Sequence, residues 1–351
     1  MADTCRMHRR FAGLALALTF LAGPLLGVPE LAAAQTVRDV FQKVAPSVVV
    51  IRAKGRDVTS GGQTRFSETG SGVLISQDGK VMTAAHVVQA MDEIKVEFLR
   101  GETVAARVVY SEPGADLSLL QLERVPSGSK VAPMADSSTV QVGDDVIIVG
   151  APYGLSHSLS VGHISARWPP NTVYRSMLLA EFFQTDAVIN TGNSGGPMFN
   201  MKGEVIGIVS HNISKSGGSE GLGFVVTLNT AKQLLLEKRS FWSGLEGFVL
   251  TNEQADLLNL PAKASGYIVK TVAKGSPGDA IGLRGSTMLV DIAGQEVPLG
   301  GDIILSVDGI GVDTANISKI RDHMSRVQAG SPFKVTILRA GQVLELTGKA
   351  P

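Results

Sequence analysis

Three side chains of this chain could together attack a carbonyl carbon, although they lie far apart in sequence. Ser194 stands in the run Thr191-Gly192-Asn193-Ser194-Gly195-Gly196-Pro197. Glycine is entropically costly inside a helix or strand, and proline donates no backbone hydrogen bond, so this run reads as a loop. A serine hydroxyl is a weak nucleophile until a base takes its proton. The oxyanion that then forms needs donors already in place. Glycines beside the serine let backbone N–H groups turn into the site without side-chain clash. The amides of Gly192 and Ser194 are therefore candidate oxyanion donors, with Asn193 expected as the exposed residue between them. The candidate base is His86, at the end of the β-rich run "VMTAAHVV" and behind two alanines that allow close approach of another segment. The candidate for orienting its ring is Asp116, which opens the apolar run "DLSLLQL". A carboxylate in such company is costly unless hydrogen-bonded. Asp92, Asp136, Asp144 and Asp145 are rival acids. His157, His163, His211 and His323 are scattered, without metal-ligand spacing, and read as structural or exposed. No metal and no cofactor is implied.

The elements that must hold these groups are mainly strands. "PSVVVIRAKG" reads as a first strand, after helical spacing in "VRDVFQKV". "GSGVLISQDGKVMTAAHVV" reads as a hairpin turning at Asp78-Gly79, and a second pair closes around Arg100-Gly101-Glu102. Further β-rich runs continue to about Leu228. Asn229 is the expected N-cap of a helix running to Arg239. About 200 residues of short strands fit two small barrels better than one, with the break between Pro126 and Gln141. Beyond Arg239 strands and helices mix. Hairpins are expected at Asp308-Gly309 and Ala340-Gly341, and a helix has Ile317, Ile320 and Met324 on one face. The expected fold is mostly β, with a double β-barrel followed by an α+β unit of usual domain size.

Composition narrows the function classes. With 32 basic and 32 acidic residues the formal charge is zero, so long-range attraction to nucleic acid or an anionic membrane is not indicated. Arg6, Arg9 and Arg10 precede an apolar stretch broken by Pro24, and Ala32-x-Ala34 follows. This reads as a secretory signal peptide over 1–34, with an uncleaved anchor as the alternative. The only cysteine, Cys5, lies inside it, so a mature chain would carry no disulfide. Export without disulfides points to a bacterial-type periplasm or cell envelope.

"TAAH", "DLSLL" and "GNSGGP", in that order, resemble the trypsin-like serine proteases of the double-barrel fold. With "GSGVLIS", the export signal and the C-terminal unit, the chain resembles the HtrA/Deg family. The resemblance implies a catalytic triad of His86, Asp116 and Ser194, and an oxyanion hole over Gly192, Asn193 and Ser194. It implies a specificity pocket flanking the serine, here Ile189, Ile208 and Ile213. Since these are apolar, a small or medium aliphatic residue is expected before the cut. Residues 35–240 would form the protease domain. Residues 241–351 resemble a PDZ domain, a module that binds an extended C-terminus by strand addition. Its carboxylate loop would be Ser243, Gly244, Leu245, Glu246 and Gly247. The segment 284–299 departs from that pattern and is expected to add a hairpin or reshape the groove. Thr191, where the family often has proline, and Met198, where leucine is usual, are further departures. The implied substrates are unfolded or damaged envelope proteins, and the implied assembly is a homotrimer, formed through the N-terminal segment around Phe41, or a higher homo-oligomer. A latent protease acting as a peptide-binding chaperone or stress sensor is the alternative. "GNSGG" also matches the nucleophile elbow of α/β-hydrolases, but Gly195-Gly196-Pro197 opposes the helix which that motif needs.

Overall fold

A computed structural model describes residues 36–173, 177–261, 265–292 and 295–350. The expected signal peptide lies outside the described residues. Helix α1 (Val37–Val44) opens the described chain, with Thr36 and Asp39 capping each other reciprocally. Phe41 on α1 is half-buried against the core. Strands β1 (Val48–Thr59), β2 (Gly62–Leu74), β3 (Lys80–Thr83), β4 (Met91–Phe98), β5 (Thr103–Glu112) and β6 (Leu117–Leu122) close a barrel in the order β1-β2-β3-β6-β5-β4. Strands β7 (Asp145–Gly150), β8 (Ser158–Trp168), β9 (Phe182–Thr185), β10 (Pro197–Asn200), β11 (Val205–Asn212) and β12 (Gly223–Thr227) close a second, in the order β10-β11-β12-β9-β8-β7.

Alternation explains why several of these strands are apolar without interruption. In β7, Val146 and Ile148 fill the second barrel, while Ile147 and Val149 face a separate cluster. That cluster also takes Val48, Val73, Met82, Leu117 and Leu119 from the first barrel. It is a seam core between the barrels, and strands buried on both faces need apolar residues at every position. Each large side chain sealed there stabilises the fold by about 1.5–3 kcal/mol relative to exposure. The link between the barrels runs from the end of β6 to the start of β7, spanning the expected break.

The C-terminal α+β unit holds β13 (Leu245–Val249), β14 (Tyr267–Val272), β17 (Ile303–Val307), β19 (Pro332–Arg339) and β20 (Gln342–Lys349), paired in that order. A short strand, β18 (Ile310–Gly311), pairs β17 across Asp308-Gly309, and β19 pairs β20 across Ala340-Gly341. Both residues of each turn have positive φ, as the expected hairpins require. The departing segment does form a hairpin, β15 (Met288–Ile292) with β16 (Gln295–Leu299). The helix Ile317–Met324 packs its apolar face against the sheet. One expectation fails locally. Asn229 lies inside the helix that starts at Leu228, and its side chain reaches Asp136 and the Ser137 amide instead of capping.

Candidate active site

His86 lies in α2 (Ala85–Val88), a single turn directly after β3. Asp116 follows a 3₁₀ turn, Pro113–Ala115, that Glu112 caps by accepting the Gly114 amide at 3.2 Å. Glu112 is buried and anchored by Arg321 at 2.8 Å. The chain leaves this turn through Asp116 itself, at φ 54°, a conformation Asp tolerates better than most residues. The carboxylate is thereby turned back under α2. His86 Nδ1 lies 2.9 and 3.0 Å from the two Asp116 oxygens, and the His86 amide donates to Oδ1 at 3.1 Å. A neutral imidazole in this pair carries its proton on Nδ1, which leaves Nε2 as the basic nitrogen.

The serine loop comes from the second barrel. Gly192 has φ +101°, and a Cβ there would stand 2.1 Å from the Ala151 carbonyl oxygen. At Gly195, φ is +81° and a Cβ would strike Thr83 Oγ1 at 2.1 Å. This is the close approach that small residues before His86 were expected to permit. The four carbonyls from Thr191 to Ser194 are each engaged: Thr191 by the Tyr153 amide, Gly192 by Ser71 Oγ, Asn193 by the Gly196 amide and Ser194 by the Ser71 amide. Among the described residues, the amides of Gly192 and Ser194 have no protein acceptor. Such groups are rarely left idle away from water. The Asn193 amide is different, since it donates to the Asn190 carbonyl at 3.0 Å. Asn193 is also not exposed as expected. It is 3 % accessible and packs against Gly150, whose missing Cβ makes room for its side-chain oxygen.

Ser194, His86, Asp116 and Ile189 line one cavity of about 780 Å³ between the barrels. Ser194 Oγ donates to the Ser210 carbonyl at 3.3 Å. Two of the three expected pocket residues are elsewhere. Ile208 is buried in the seam core, and Ile213 is 42 % exposed beyond the end of β11, so neither lines the cavity. Asn190, Thr191 and Asn212 stand there with Ile189, and Asn212 Nδ2 ties the wall together by donating to the Ile189 and Gly218 carbonyls.

Two participants escaped the sequence reasoning. Ser210 is the extra residue of a β-bulge where β11 pairs with β12. Its hydroxyl donates to Asp116 Oδ2, and His211 Nδ1 lies 2.9 Å from that hydroxyl. The signal available was a Ser-His pair ending the apolar run "EVIGIV", where buried polar groups require partners.

Electrostatics follow from these contacts. Burial pushes the Asp116 carboxyl upward, but the His86 imidazole, the Ser210 hydroxyl and the His86 amide outweigh it and hold it below its ordinary value. Burial pulls His86 down although 47 % of its side chain is accessible from the cavity. The hydrogen bond and charge of Asp116, with Glu68 adding, overcome that pull and raise it above its ordinary 6.5. Burial lowers His211 to about 4 against the attraction of Asp116, and repulsion from His86 adds to the lowering, so its ring is neutral near pH 7.

In the C-terminal unit, β13 starts at Leu245, so only Ser243 and Gly244 of the expected carboxylate loop are outside the strand, turning at Gly244 with φ +75°. Leu245, Glu246 and Gly247 pair with β14. A second, apolar cavity of about 360 Å³ lies between Leu245 and the helix bearing Ile317, Ile320 and Met324. Gln89 and Pro113 line both cavities, and Gln89 donates to the Leu245 carbonyl at 3.3 Å.

Comparison with known proteins agrees with this geometry. Residues 70–208 match the family model described as a trypsin-like peptidase domain. A Halomonas elongata protein named "Probable periplasmic serine endoprotease DegP-like" is 34% identical over 286 residues, covering 79% of this chain and 55% of the relative. A Hahella chejuensis protein of the same name is 34% identical over 250 residues, covering 69% of this chain and 52% of the relative. The chain thus spans about half the length of these relatives. The solved structure of the HtrA-type protease AlgW with tripeptide superposes with TM-score 0.52 at 28% identity, covering 90% of this chain and 96% of that one. A double barrel, a serine loop clamped at its seam and these likenesses converge: the chain belongs to the HtrA/Deg family of trypsin-like serine proteases.

Proposed function

We propose that this chain is an exported serine endopeptidase that cuts unfolded or damaged proteins of the cell envelope. Ser194 attacks the scissile carbonyl, His86 Nε2 takes its proton and later gives it to the leaving amine, and Asp116 holds the imidazole. The amides of Gly192 and Ser194 receive the oxyanion. Water then releases the acyl group by the same route. Residues 35–240 act as the protease domain. Residues 241–351 act as a PDZ domain that takes C-terminal peptides in the apolar groove beside β13, and the assembly is a homotrimer or a higher homo-oligomer. The observation that carries the reading is the Asp116–His86 pair opening onto the same cavity as Ser194, at a loop whose carbonyls from Thr191 to Ser194 are tied away. Its test is covalent labelling of the full chain by a phosphonylating reagent selective for active serines. Label recovered on Ser194, and blocked by prior denaturation, is the expected result. A folded protein that takes no label and cuts no casein would overturn it.

A second reading is a latent protease serving as a peptide-binding chaperone or stress sensor. It is favoured by one contact, the Ser194 hydroxyl resting on the Ser210 carbonyl; among the described residues no hydrogen bond joins Ser194 to His86. Labelling that appears only after peptide addition would select it.

Two further results are expected. Because His86 must be neutral to act as base and its affinity for a proton is raised, kcat/KM should fall as pH drops through a value above 6.5. A rate that stays flat to pH 5 would exclude His86 as base. Ile189 is an apolar group of the cavity that holds Ser194, and the residues next to it there, Asn190, Thr191 and Asn212, carry no charge. In a peptide series, valine or leucine before the cut should be preferred over arginine by about 10-fold or more; preference for arginine would refute the assignment.

A further inference from the structure

His211 makes contacts that ordinary core packing does not need. Its ring is stacked on Phe224, with centroids 5.5 Å apart and planes 16° from parallel, and Phe182 meets it edge-on at 5.6 Å. Both phenylalanines belong to the seam core, so the ring is held rigidly. From there Nδ1 reaches the Ser210 hydroxyl at 2.9 Å, and that hydroxyl reaches Asp116. The hydroxyl has one proton and two acceptors within reach, the Asp116 carboxylate and the His211 ring. The carboxylate is the stronger acceptor. Ser210 therefore donates to Asp116, and the imidazole nitrogen that faces its oxygen at 2.9 Å must carry a proton, since two lone pairs would repel. The neutral Nδ1–H form of His211 thus donates to Ser210 Oγ, removes the competing acceptor and polarises the hydroxyl towards Asp116. Asp116 comes from the first barrel, whereas Ser210 and His211 come from the second. This chain of bonds is the second barrel's hold on the acid.

Resting on the protease reading above, we propose that His211 is a positioning residue: through the Ser210 hydroxyl it fixes the hydrogen bond that Asp116 receives, and so sets the strength of His86 as a base. Among the described residues, the charges acting on His211 include Asp116 and His86, and those acting on His86 include Asp116 and Glu68. Asp57, Glu246 and Lys270 also line the same cavity, with Lys270 bridging the two acids at 2.7 and 3.5 Å. Weakening the Ser210 bond leaves more negative charge on Asp116 for His86, which then holds its proton to higher pH.

The test uses the full chain and two readouts: the pH profile of kcat/KM, and direct titration of the His86 ring by nuclear magnetic resonance. His211→Phe keeps a ring on Phe224 and deletes the donor. Its acid limb and its His86 titration should both move up by about 0.3–1 pH unit, with kcat/KM below the limb falling about 2- to 10-fold. His211→Asn, whose amide nitrogen can stand near the position of Nδ1, should restore the limb. Adding His211→Phe to Ser210→Ala should move it no further than Ser210→Ala alone. Should His211→Phe fail to fold, His211→Asn against His211→Ala makes the same comparison. A His211→Phe limb that stays in place, or one that shifts equally in the Ser210→Ala background, overturns the proposal and leaves His211 a packing residue. If Ser194→Ala still cleaves substrate, the protease reading is what fails, while the His86 titration continues to report on His211 without any substrate.

Discussion

Replacing Ser194 with alanine is expected to lower the cleavage of unfolded casein by about 10⁴- to 10⁶-fold. The substitution removes the nucleophile and little else. Among the described residues, the Ser194 side chain makes one hydrogen bond, to the Ser210 carbonyl at 3.3 Å, and the loop around it is held by backbone contacts that alanine leaves intact. The melting temperature should therefore hardly change while turnover collapses. Some rate above that in water should survive, because the cavity and the two open amides still bind and stabilise. Combining the change with His86→Ala should lower the rate no further, since a nucleophile and its base act as one unit. Cleavage within tenfold of the parent would show that another group performs the chemistry.

Asp116→Asn should lower kcat by about 10⁴-fold through a different cause. Asparagine accepts the left-handed backbone that Asp116 adopts at φ 54°, so the turn into β6 is retained. Its amide group, however, can donate to His86 Nδ1. The imidazole then carries its proton on Nε2, facing Ser194, where it cannot act as base. The negative charge that raises His86 is also lost, so the surviving activity should show its acid limb at lower pH than the parent. A loss under about 100-fold, with the limb unmoved, would mean that Asp116 neither orients nor charges the base; comparison of pH profiles decides this.

The parts of the site that sequence conveyed were those whose chemistry is written in neighbouring residues. Ser194 stood out because glycines and a proline exclude regular structure around it, and Asp116 because an acid opening "LSLLQL" demands a partner. Other features depend on contacts between distant segments. Asn193 turns inward only because Gly150, 43 positions earlier in the numbering, has no side chain. Ile208 and Ile213 were assigned to the pocket as apolar residues near the serine, but the bulge at Ser210 breaks the alternation of β11 and brings Ser210 and His211 to the cavity instead. The fold class and most strands were legible, because apolar runs bounded by glycine turns admit few other arrangements. The start of β13 at Leu245 was not, because strand ends are set by the pairing with β14.

The seam between the barrels has a consequence for how this molecule can lose activity. His86 and Asp116 ride on one barrel, Ser194 and Ser210 on the other, and the sequence offers no cysteine beyond Cys5 to bolt them together. Among the described residues, packed hydrocarbon and hydrogen bonds such as those from Ser71 to the serine loop keep the halves in register. Each half is a closed cylinder with its own filling. Slippage of an ångström at their junction would pull the chemistry apart while both cylinders stayed whole, so inactivation is a more sensitive gauge of their docking than any measure of strand content.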